Sequence, residues 1–132
     1  MTDLERAREF FANDKYATST TGIDIDDVAP NYAHCTLKLD DRHRNGLGAV
    51  MGGVYYTMAD FVFAVSTNTF NAPTVTTTSQ IEYLRPLRGD TMIGESECIK
   101  DGKTMCFFQV KISDGEGNLV ALVNTTGNHL PK

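Results

Sequence analysis

Between Asn45 and Ile81 the chain carries one charged side chain, Asp60. That acid falls inside the run Val54-Tyr55-Tyr56-Thr57-Met58-Ala59-Asp60-Phe61-Val62-Phe63-Ala64-Val65. A helix drawn from Gly53 to about Phe70 is apolar almost all round, so it has no solvent face and must be enclosed. At 132 residues the whole chain, 1–132, is expected to form one domain, so its remaining segments must supply the enclosure.

Those segments read mostly as strands. Thr2–Lys15 has Leu4, Ala7, Phe10 and Phe11 at helical spacing with Thr2 as a cap, which predicts a short N-terminal helix. Gly22–Ala29 and Tyr32–Asp40 are strand candidates joined at Pro30-Asn31; in the second, Ala33, Cys35, Leu37 and Leu39 alternate with polar or aromatic neighbours. Asp41–Gly48 reads as loop, and Asn71-Ala72-Pro73 ends the long helix. Four further strands are expected at Thr74–Leu84, Thr91–Lys100, Lys103–Ser113 and Leu119–Asn128. Their turns are Arg88-Gly89-Asp90, Asp101-Gly102 and Asp114-Gly115-Glu116-Gly117. The expected class is α+β, an antiparallel sheet curved around one helix. Long Thr- and Val-rich strands with open edges also favour an oligomer.

Composition excludes several functions. A net charge of −5 leaves no basic face for nucleic acid. Cys35, Cys98 and Cys106 are scattered and odd in number, as in a protein with reduced thiols. With His34, His43 and His129 they make no metal-ligand spacing, so no metal is expected. Residues 1–15 alternate in charge without an apolar core, and the apolar run is interrupted by Thr57, Asp60, Ser66, Thr67 and Asn68. Neither a signal peptide nor a membrane span is expected, and the default location is cytoplasmic.

The chemistry concentrates at the start of the long helix. Gly52-Gly53 has no Ser, Thr, Asp or Asn immediately before it to cap the first amides. Free amides at the positive end of a helix receive a carbonyl oxygen that turns negative during reaction; the glycines equally permit close backbone packing. Asp60 suits direct attack on a carbonyl or proton abstraction from water, and equally a structural buried acid. Desolvation raises its pKa and a nearby donor lowers it, so the direction stays open. Gly52 and Asp60 stand about 12 Å apart along one helix and on different faces. Attack needs about 3–3.5 Å, so one subunit does not serve one substrate with both. A two-fold dimer with antiparallel helices does. Asn45 either assists the oxyanion or shapes the loop, and the run Thr74-Val75-Thr76-Thr77-Thr78-Ser79 offers hydroxyls for a water. Arg42, Arg44, Arg85, Arg88, Lys100 and Lys103 are the basic spots from which a phosphate contact would come.

At these residues the chain resembles the hotdog-fold thioesterases, in particular the PaaI-type branch related to 4-hydroxybenzoyl-CoA thioesterases. The family pattern Asn-x-x-Gly-x-x-His-Gly-Gly, with an acid eight residues beyond the first paired glycine, reads here Asn45-x-x-Gly48-x-x-Met51-Gly52-Gly53 and Asp60. Tyr83-Leu84-Arg85-Pro86 with Gly89-Asp90 matches a later strand end and turn, and the likeness runs from about Thr20 onward. The resemblance implies a six-stranded antiparallel sheet around the helix, a homodimer and often a dimer of dimers. It implies hydrolysis of an acyl-CoA thioester, aromatic or medium-chain, with coenzyme A as part of the substrate and no separate cofactor. By the same resemblance the Gly52 amide and Asn45 hold the carbonyl, and Asp60 of the other subunit is nucleophile or base. Thr76 positions water, with Thr77 and Thr78 as fallbacks, and Gly53, Met51 and Arg85 border the substrate. Tyr55, Tyr56, Met58, Phe61 and Phe63 either line an acyl pocket or pack the core. Met51 stands where the family has histidine and cannot donate a hydrogen bond. That departure favours the alternative, a hotdog module that binds acyl-CoA without hydrolysing it, and counts against a hotdog dehydratase.

Overall fold

The computed structural model describes residues 1–71 and 73–131. Helix α1 (Asp3–Phe11) begins at the expected cap, through a reciprocal box in which Thr2 Oγ1 accepts from the Glu5 amide at 3.0 Å and Glu5 Oε1 from the Thr2 amide at 3.2 Å. It buries Ala7 and Phe11, whereas Phe10, expected on the same face, is exposed. The helix stops short of Lys15. The chain then winds into a six-residue π turn, Tyr16–Thr21, closed by Gly22 at φ 93° with its amide on the Ala17 carbonyl at 3.0 Å.

Strand β1 (Ile23–Ala29) pairs with β2 (Tyr32–Lys38), and the predicted alternation puts Ala33, Cys35 and Leu37 wholly in the core. After a single 3₁₀ turn at Asp41–His43 and a loop comes α2 (Gly52–Asn68), one residue ahead of its expected start. Ala72 of the expected stop lies outside the described residues. Strands β3 (Thr74–Tyr83), β4 (Thr91–Asp101), β5 (Met105–Asp114) and β6 (Leu119–His129) follow. All pairings are antiparallel, in the order β1-β2-β4-β5-β6-β3. The chain therefore leaves β2, crosses the concave face as α2, forms the far edge as β3 and returns to β4 beside β2. This is the hotdog arrangement that the sequence resemblance implied.

Two hollows let the helix sit close to the sheet. A Cβ at Gly94 would lie 2.8 Å from Met58 Cγ, and one at Gly127 would lie 2.5 Å from Phe63 Cζ. Met58, Val62 and Val65 are fully enclosed, each contributing about 1.5–3 kcal/mol on burial. Tyr55, Phe61 and Phe63 are also buried.

Enclosure is incomplete along one strip. Gly53 and Asp60 are exposed and Thr57 is half-buried, at the three-to-four-residue spacing of one helix face. The expectation that Asp60 is buried fails in the single chain, because the sheet wraps the other faces of α2 and leaves this one open. Strand β3 is an edge with most of its residues exposed. Among the described residues no helix is long and apolar enough to cross a membrane.

Candidate active site

The helix entrance is built by a tight loop. Asn45 Oδ1 accepts from the amides of Leu47 at 2.9 Å and Ala49 at 3.1 Å, and the Asn45 amide bonds the Ala49 carbonyl at 2.8 Å. Arg44 bridges Val50, and the Met51 amide reaches the His43 carbonyl at 2.9 Å. His43 itself is buried; its Nδ1 accepts from the Asp40 amide at 3.0 Å and its Nε2 lies 2.7 Å from the Thr21 carbonyl. The loop thus aims Met51, at φ −63° and ψ 137°, into α2 with no side-chain cap. Among the described residues the Gly52 and Gly53 amides have no hydrogen-bond acceptor, while the Gly52 carbonyl is held by Tyr83 Oη at 2.9 Å. The outcome is an open, positive helix end on a fixed frame.

Asp60 lies further along the same strip, in a cleft of about 500 Å³ walled by Asp14, Lys15, Tyr16, Tyr56, Phe61 and Ser79. Its carboxylate makes no hydrogen bond or ion pair among the described residues. The surrounding walls strip part of its hydration and, with the like charge of Asp14, push its pKa above the ordinary carboxylate value. In the single chain the direction left open by the sequence is upward.

The other predicted residues divide. Met51 is half exposed and borders, with Gly53, a small cleft that also includes Tyr16, Arg42, His43, Val54 and Thr57. Arg85 lies on the other side of the entrance, in a cleft of about 400 Å³ with Gly52, Tyr83, Leu84 and Pro86. Thr76, Thr77 and Thr78 sit on the exposed edge strand, outside the Asp60 cleft of the single chain. A bulge at Thr77, whose Oγ1 donates to the Thr126 carbonyl at 3.0 Å, resets the alternation there. Ser79 is the β3 residue that lines the cleft, its Oγ 3.2 Å from Thr125 Oγ1 and its carbonyl accepting from Tyr56 Oη at 3.1 Å. Sequence reasoning named Ser79 only within the run, since the bulge has no local signature. Tyr83 and the π turn it missed as parts of the site.

Residues 47–121, more than half of the chain, match the thioesterase superfamily. The chain belongs to that superfamily. Among its relatives is the acyl-coenzyme A thioesterase PaaI of Escherichia coli K12, 28% identical over 119 residues that make up 89% of this chain and 84% of that one. Human acyl-coenzyme A thioesterase 13 is 28% identical over 103 residues, 75% of this chain and 74% of its own. The solved structure of E. coli PaaI superposes with a TM-score of 0.89 at 25% identity, covering 98% of this chain and 94% of that chain. A Streptococcus pneumoniae hypothetical thioesterase solved with coenzyme A shares the fold, with a TM-score of 0.84 at 22% identity over 92% of this chain and 98% of that chain. The superfamily match spans Gly52, Gly53, Asp60, Thr76–Thr78 and Arg85 but begins after Asn45.

Proposed function

We propose that this thioesterase-superfamily chain hydrolyses an acyl-coenzyme A thioester to a carboxylic acid and free coenzyme A, in sites shared between two subunits. One observation carries the reading: α2 has an uncapped entrance at Gly52-Gly53 and, on the exposed strip that runs on from Gly53, an acid without a partner among the described residues, the two too far apart to meet on one substrate. Each would find its counterpart on a second copy packed across a two-fold axis. The unpaired edge of β3 and a loop tip at Leu47 that is 94% exposed are both suited to that contact. The names of the relatives support the acyl-CoA substrate.

In this scheme the thioester oxygen lies against the Gly52 amide, with Gly53 and the free side-chain amide of Asn45 beside it. Asp60 of the second subunit takes a proton from water. The hydroxide bonds to the carbonyl carbon, the oxyanion collapses, and the carbon–sulfur bond breaks with the electron pair leaving on sulfur. The proton held by Asp60 then passes to the thiolate. The exposed threonines Thr76, Thr77 and Thr78 are available from the edge strand to position that water, and Arg85 is the first cation on the coenzyme side. Coenzyme A enters as part of the substrate, and each step is carried by groups of the chain.

The test is complementation. Asp60→Ala and Gly52→Pro chains, each inactive alone, are co-expressed with different tags. Mixed dimers hold one intact shared site, so thiol release should return to about a quarter of wild type with random pairing. Dimers that exchange and stay inactive would refute the shared site. Met51 favours the binding-only reading; wild-type protein that retains acyl-CoA without releasing thiol would establish it.

A further inference from the structure

The six residues Tyr16–Thr21 have no role in the scheme above, yet they are the least ordinary backbone in the chain. π turns are rare and concentrate at functional sites. This one is pinned firmly. Ala17 and Thr21 are buried, the Thr18 amide and hydroxyl both bond the Asp14 carbonyl at 2.9 and 3.0 Å, and Thr20 and Thr21 carbonyls receive Arg42 and His43 at 2.9 and 2.7 Å. The turn presents Tyr16, Ser19 and Thr20 outward; of these Tyr16 has the one large side chain, free of hydrogen bonds among the described residues and 68% exposed.

Tyr16 borders two clefts at once. It lines the cleft beside Met51 and Gly53 and also the cleft of Asp60; the one other residue common to both is Thr57, whose hydroxyl is committed to the Gly53 carbonyl at 3.0 Å. The two hollows thus adjoin along the open strip of α2, with Tyr16 and Thr57 at their common border. On the opposite side of the entrance, the guanidinium groups of Arg85 and Arg88 make no hydrogen bond or ion pair among the described residues. Arg42, on the Tyr16 side, is tied to the Thr20 carbonyl and to Asp40 at 3.3 Å. The unpartnered guanidinium groups among the described residues therefore lie on the Gly52 side, where they can hold a phosphate-bearing arm in bidentate fashion, whereas the Tyr16 side offers the single ammonium of Lys15. A carbonyl held at the entrance would then send its remaining substituent the other way, under Tyr16.

We propose that the π turn is the acyl wall of the site and that Tyr16 is a specificity-determining residue, its ring covering the acyl group along the strip Gly53–Thr57–Asp60. This rests on the reading of the chain as an acyl-CoA hydrolase. Tyr16 lies outside the stretch matched to the superfamily, in the N-terminal segment.

Binding separates this proposal from that reading. Free coenzyme A and its methyl, hexyl and benzyl thioethers, which cannot be hydrolysed, are titrated calorimetrically into wild type, Tyr16→Ala and Tyr16→Phe. An exposed side chain can be removed without loss of fold, which thermal melts of both variants check. Tyr16→Ala should weaken hexyl and benzyl thioethers about fivefold to tenfold while free coenzyme A and the methyl thioether change by less than about twofold. Tyr16→Phe should bind as wild type does, because the ring makes the contact. Equal losses on all four ligands, no loss on any, or a wild type that gains nothing from hexyl over methyl would overturn the wall. If wild type releases thiol from acyl-CoA in a parallel assay, such a failure leaves the hydrolase reading standing; a wild type that neither hydrolyses nor binds any of them removes both.

Discussion

The two ends of α2 are opposites. At its exit nearly every terminal group is engaged: Ser66, Thr67 and Thr69 hydroxyls return to the carbonyls of Val62, Phe63 and Val65, and Arg6 caps the Thr69 carbonyl at 2.8 Å. Asn68 adds bonds to the Ala64 and Thr74 carbonyls at 3.1 and 3.2 Å and accepts the Thr74 amide at 2.8 Å. At the entrance no side chain caps the first amides. The same helix thus carries a sealed end that anchors it and a bare end, the one to which the proposed function assigns the thioester oxygen.

That contrast can be broken by substitution. The largest expected effect is at the acid: Asp60→Ala should lower kcat by about 10²–10⁴-fold in a thiol-release assay, with KM little changed. Next is Gly52→Pro. Proline is tolerated as the first helical residue and Met51 already has the extended backbone it requires; the new Cβ would lie 3.0 Å from Tyr83 Oη, so the exposed Tyr83 ring gives slightly while the amide is removed and the helix persists. A fall of about 10²-fold in kcat with a near wild-type melting curve is expected; unchanged turnover would free the entrance from the mechanism. At the sealed end the pattern reverses. Asn68→Ala should cost about 1.5–3 kcal/mol in denaturant unfolding and leave kcat of the folded protein unchanged.

The smallest effects come from charge. Because the pKa of Asp60 is raised in the folded chain, its contribution to stability is present below the ordinary carboxylate value and is lost as pH rises through the raised one. Replacing it with asparagine should therefore raise the melting temperature at neutral pH by about 1–2 °C while abolishing turnover. The acid limb of the kcat profile should lie above the ordinary carboxylate range, and Asp14→Asn, removing the like charge, should move it to lower pH. A limb that ignores Asp14 would uncouple the two acids.

Much of this was legible in the sequence because it was periodic. The alternation in Tyr32–Lys38 and in Met105–Asp114 and the unbroken apolarity around Phe63 each report a burial pattern that local geometry then obeys. The helix entrance was legible too, since a missing cap is a property of adjacent residues. What escaped was set by distant contacts. Asp60 reads as buried from its neighbours in sequence, yet its exposure depends on which helix face the sheet leaves open. The bulge at Thr77 interrupts the alternation of β3, and Tyr83 reaches Gly52 across 31 positions. The π turn is written in small hydroxyl residues with neither helical nor strand period, and it is held by Arg42 and His43 from another part of the chain.

The hollows at Gly94 and Gly127 set the height at which the helical rod rides above its cradle, and with it the elevation of Gly52 and Asp60. Neither glycine lines a cleft beside Gly52 or Asp60, but a methyl at Gly94 would jack up the rod at Met58 and tilt both of those residues. In descendants of this sequence, bulk gained at 94 should be matched by bulk shed at 58, the two positions drifting as a coupled pair.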